Sequence, residues 1–115
     1  ISLSPLDPNS TTYKNGLFFA NLGQSNFEIA LSYNDECRLQ FPNVGTYKGF
    51  NAATLGHLNR DGEARTALEE YLALRPNLKK KSDYKKIFVP NSTLADILIE
   101  GLVKAGWQPE VEEAL

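Results

Sequence analysis

Residues 42–77 read PNVGTYKGFNAATLGHLNRDGEARTALEEYLALRPN, a stretch that begins and ends on the same dipeptide, Pro-Asn. A third copy stands at Pro8-Asn9, so the prolines fall at 8, 42 and 76, two equal steps of 34 residues. A fixed step of this size marks a repeated structural unit. Other columns recur with it: Ala30 and Ala64 each lie twelve residues before a repeat proline, and Leu6 and Leu74 each lie two before one. A proline cannot continue a helix, so its place is just past a helix end. The Asn that follows each one is a good N-cap or turn residue and is expected to open the next unit. A methyl side chain at Ala30 and Ala64 lets two helices approach closely.

A period of 34 is the length of the tetratricopeptide repeat, in which each unit is a pair of antiparallel helices. The expected helices run 10–22, 27–41, 46–58 and 62–74, with turns at 23–26 and 59–61. Apolar spacing near 3.6 agrees, with Leu17, Phe18 and Leu22 on one helix and Leu68, Tyr71, Leu72 and Leu74 on another. The predicted fold is all-α: a TPR-like superhelix forming one domain over 1–115. Its parts are the end of a preceding repeat (1–8), repeat 1 (9–42), repeat 2 (43–76), a basic connector (77–91) and a capping helix (92–107). In that last helix Leu94, Ile97, Leu98, Leu102 and Trp107 share a face opposite Asp96, Glu100 and Lys104, with Gly106 as the stop. A terminal element with one polar face is what a repeat array needs to seal its exposed core.

With 115 residues, 42% hydrophobic and 23% charged, the chain has the make-up of one ordinary globular domain. A formal net charge of −2 gives no bulk attraction to nucleic acid or anionic lipid. The chain opens at Ile1 and contains no Met, which predicts a piece of a longer protein without a signal peptide. No apolar run approaches the roughly 18 residues of a spanning helix, so membrane insertion is not expected. One cysteine, Cys37, fits a reducing, cytoplasmic setting and a small core residue.

The residue types needed for catalysis do not converge. His57 is the only histidine, so neither a metal set nor a histidine pair is available, and no metal or cofactor is expected. Residues 45–49 combine Gly and Lys but lack phosphate-loop spacing. Asn9-Ser10-Thr11 and Asn91-Ser92-Thr93 coincide with helix starts and read as caps. Glu63, Glu69 and Glu70, with Arg65 and Arg75 nearby, read as solvated helical charge. The one charge anomaly sets Arg75 and the basic patch Lys79, Lys80, Lys81, Lys85 and Lys86 against Asp83 alone. It reads as a solvated linker, with an anionic partner near Tyr84 as the sharper alternative.

Several segments resemble the C-terminal tetratricopeptide domain of bacterial, alphaproteobacterial-type adenylate cyclases and related winged-helix regulators. They are Leu3-Ser4-Pro5-Leu6-Asp7-Pro8, Asn15-Gly16, residues 27–30, His57-Leu58-Asn59-Arg60, residues 63–65 and, most specifically, residues 100–107 (EGLVKAGW). Ile29, Asn59 and Lys48 depart from the usual pattern. The resemblance implies a regulatory or interaction segment of a cytoplasmic cAMP-signalling protein, with any cyclase catalysis in a domain outside this chain. The expectation is a non-enzymatic module that takes a protein or peptide in a concave groove. The candidate groove residues are Tyr13, Leu17, Asn21, Thr46, Asn51, Ala53 and His57. Homodimerisation through the apolar surface of Ile1, Leu3 and Leu6, pairing cyclase or DNA-binding domains, is the rival expectation.

Overall fold

A computed structural model describes residues 10–86 and 92–111, and every described regular element is helical. The helices are α1 (Thr11–Gly23), α2 (Phe27–Gln40), α3 (Gly45–His57), α4 (Asp61–Leu74), the one-turn α5 (Lys81–Lys85) and α6 (Ser92–Ala105). Both boundaries of α3 and of α4 stand 34 residues beyond those of α1 and α2. The backbone repeats as well. Ser25 and Asn59, the residues that turn each hairpin, have φ of 62° and 59°. The next amide reaches back five residues in each case, Asn26 to the Asn21 carbonyl at 2.8 Å and Arg60 to the Leu55 carbonyl at 3.1 Å. This is the Schellman closure, in which a left-handed residue lets two amides satisfy the last carbonyls of a helix.

The expected helices therefore form within one residue of their predicted ends, and Pro42 and Pro76 each follow a helix by two positions. One detail of the punctuation is corrected. Asn43 does not cap α3; Val44 occupies that position, and none of the cap residues of α1 to α4 makes a side-chain cap bond. Between α2 and α3 the chain first makes a backbone turn, with the Val44 amide on the Phe41 carbonyl at 3.2 Å. Ser10 does stand at the N-cap of α1, where its carbonyl, not its hydroxyl, meets Lys14. Asn9, Asn91 and the expected end of a preceding repeat over 1–8 lie outside the described residues.

The core forms where the hairpins stack. Ala30 and Ala64 are fully buried, as is Cys37, whose thiol is pushed up in pKa chiefly by that burial. Phe18 of α1 stacks on Phe50 of α3 at 5.0 Å, and Phe19 meets Phe50 edge-on at 5.4 Å. Between α2 and α3 the buried Asn34 carboxamide donates to the Tyr47 carbonyl at 3.0 Å, while its oxygen has no partner.

Past α4 the period ends. The connector is not a purely solvated linker: it contains α5, and Tyr84 is 1% exposed. Burial pushes its phenol well above the ordinary range. Asp83 organises this turn by accepting the amides of Lys79 and Lys80 at 3.0 and 2.8 Å. Those two bonds hold its carboxyl below the usual carboxylate range.

The closing helix α6 has the predicted face. Leu98, Leu102 and Trp107 are buried, while Asp96, Glu100 and Lys104 are exposed. Gly106 ends it at φ 119°, with the Trp107 amide on the Leu102 carbonyl. α6 lies on α3 at backbone contact: a Cβ on Gly56 would collide with the Gly101 carbonyl, and one on Gly101 with the Ala53 carbonyl. The glycines of that pattern are what allows so close a crossing.

Candidate functional site

The seven candidate groove residues occupy different faces, and the 34-residue correspondence explains why. Tyr13, Leu17 and Asn21 lie four apart on one half-buried stripe of α1, whose counterpart on α3 is Tyr47, Asn51 and Leu55. Thr46, Ala53 and His57 belong to the neighbouring stripe of α3. That second stripe is partly covered. Ala53 is 0% exposed beneath Gly101. His57 lies flat on Phe27, with ring centroids 4.3 Å apart, and its Nε2 meets the Ile97 carbonyl at 2.6 Å. A carbonyl can only accept, so Nε2 carries the hydrogen. Thr46 accepts a bond from Arg75 at 3.4 Å.

The expectation that these residues line one concave groove is therefore corrected. The helix read as an end cap covers the half of α3 that carries Ala53 and His57. Asn21, for its part, turns back on its own helix and donates to the Leu17 carbonyl at 2.8 Å.

Asn51 is the candidate that opens onto a groove. It is 9% exposed and sits with Leu55 on the floor of a cleft of about 680 Å³ between α2 and α4. Leu31, Asp35 and Arg38 form the α2 wall, and Glu63, Thr66, Ala67 and Glu70 belong to the α4 wall. Both sets follow the i, i+4, i+7 spacing of one helix face. Arg38 pairs with Asp35 at 2.8 Å and Arg60 with Glu63 at 2.9 Å, each within its own rim. Such exposed pairs hold loosely, roughly 0–1 kcal/mol each. The wall spacing was visible in the sequence, but three helices had to be brought together before it could outline a cleft.

The basic patch Lys79, Lys80, Lys81, Lys85 and Lys86 is exposed, though it is not a lone field of positive charge. Lys85 reaches Asp96 of α6 at 3.3 Å, and Lys81 and Lys85 share a shallow depression with Asp96 and Glu100. Among the described residues, no three acidic, histidine or cysteine side chains come together to hold a metal ion. No described helix is long and apolar enough to cross a membrane.

Comparison of the chain with known protein families, with characterised proteins and with solved structures finds no match. Among the described residues the fold is an all-α arrangement of two equivalent helical hairpins with α6 packed on α3.

Proposed function

We propose that the chain is a non-catalytic interaction module, a TPR-like superhelix that binds a protein segment. The observation that carries this reading is the recurrence of helix ends, turn conformation and closing hydrogen bonds at a spacing of 34 residues. Arrays of this kind leave long grooves between equivalent helices, and those grooves suit extended or helical segments. A position behind a cyclase-type or DNA-binding output domain in a cytoplasmic signalling protein belongs to the same proposal. It is carried by the resemblance over 100–107, the segment that docks on α3.

The test is saturable one-to-one binding of fluorescein-labelled, acetylated and amidated pentapeptide pools, read by polarisation. Binding in the micromolar range or tighter supports an interaction module, and its absence from every pool refutes it.

Homodimerisation is a second reading, favoured by the unequal cover of the first helices. α1 buries only Phe18 and Leu22, and Tyr13 and Leu17 stay partly open. Light-scattering mass over a concentration series tests it. A rise from 12.8 kDa towards twice that mass, abolished by Leu17→Glu, supports it. A constant monomer mass refutes it.

A further inference from the structure

We propose that the cleft between α2 and α4 is a site for a short extended peptide carrying a basic side chain, with Asn51 reading its backbone and Glu70 its charge. The inference deepens the interaction-module reading and rests on it. Asn51 is nine-tenths buried, lies on the cleft floor, and its side-chain carboxamide makes no hydrogen bond with any described residue. A carboxamide held in that state carries two donors and an acceptor side by side. A residue of an extended chain presents its own N–H and C=O, from two successive peptide units, on one side, so a bound strand satisfies both ends of the carboxamide. Buried polar groups are normally paired, and here the open side of the pairing faces the cleft.

Length and charge narrow the ligand. The α2 wall from Leu31 to Arg38 spans seven residues of helix, about 10 Å at the helical rise. That accommodates about three residues of extended chain. Leu31, Leu55 and Ala67 provide an apolar lining for alternate side chains. Of the charged groups on the walls, Arg38 and Arg60 are each engaged by a carboxylate of their own rim. Glu70 has no ion pair or hydrogen bond among the described residues, which leaves the cleft with an unanswered negative charge. A lysine or arginine on the ligand answers it.

The experiment uses the full chain and pentapeptide pools with a central Lys, Arg, Gln or Glu between randomised flanks. The Lys and Arg pools are expected to bind at least tenfold more tightly than the Gln and Glu pools. Glu70→Gln is expected to erase that preference while leaving the Gln pool unchanged, and Glu69→Gln, off the cleft, to alter nothing. Asn51→Leu should weaken every pool at least tenfold with the thermal midpoint kept; Asn51→Ser, which adds no bulk, serves if the leucine does not fold.

Equal binding of all four pools, or a preference for Glu, overturns the charge assignment and with it the proposal. Binding that survives loss of the Asn51 carboxamide but not Leu17→Glu places the peptide on α1; the cleft proposal then falls and the interaction-module reading stands. Failure of every pool on the unaltered chain overturns both.

Discussion

The two first helices, α1 and α3, occupy equivalent places in a repeat, yet they live in different surroundings. α3 is covered on several sides: from Gly49 to Gly56 every residue is buried, with α2, α4 and α6 packed around it. α1 has α2 beside it, touches Phe50 through its phenylalanines and meets only the edge of α6. The composition follows. α3 carries small residues at Gly49, Ala52, Ala53 and Gly56, with Ala53 and Gly56 at backbone contact with α6 and Gly49 under the Tyr71 ring, while the corresponding α1 positions include Phe18 and Phe19. Equivalent backbone therefore does not mean equivalent stability: the second hairpin and α6 form one tightly packed block on which the first hairpin leans.

The largest expected difference between the two surroundings lies at the glycines. Gly101→Val should place branched carbon into the Ala53 carbonyl and detach α6, a loss of about 3 kcal/mol or more, beyond the ordinary cost of overpacking. Gly16→Ala on α1 meets open space and should be neutral or stabilising by up to about 1 kcal/mol. Chemical denaturation of both variants decides it; equal effects would mean the two helices are packed alike.

Asn34 offers a second contrast, because its counterpart in the second hairpin is Leu68. Asn34→Ala is expected to cost about 1–3 kcal/mol by removing a buried bond and leaving a hole. Asn34→Leu, which copies the second hairpin and removes an unpaired buried oxygen, should change stability by less than about 1 kcal/mol. A large loss with leucine would show that the Tyr47 bond, rather than packing, pins α2 to α3.

The hairpin turns differ less. Both use a left-handed residue, but serine is poorly suited to it and asparagine tolerates it. Ser25→Gly should therefore stabilise by about 1 kcal/mol and Asn59→Gly by less, as thermal melts of the two would show.

The smallest effect concerns pH. The folded chain holds the Asp83 carboxyl below its usual range, so its contribution to α5 is present above the ordinary carboxylate pKa. It fades as pH falls through the depressed folded value. Asp83→Asn should lower the melting point at neutral pH and converge with the unaltered chain in acid. A constant difference at all pH would exclude the carboxylate as the cause.

The legible part of the sequence is local. The recurrence of Pro-Asn, the alanines twelve residues before it and the 3.6 spacing specify where helices stop and which face is apolar, since each depends on neighbours within a few turns. Helix ends, the buried Ala30, Ala64 and Cys37 and the apolar face of α6 were readable on those grounds. Which surfaces remain open depends on how distant helices meet. Gly56 and Gly101 are 45 residues apart, and only their meeting brings α6 onto Ala53 and His57 and buries the former. Tyr84 reads as a polar neighbour of lysines until α5 turns it inward. The cleft beside Asn51 takes its walls from two helices and its floor from a third. Closure of distant segments depends on backbone approach and on the total area buried, neither of which is encoded in the spacing of a single helix.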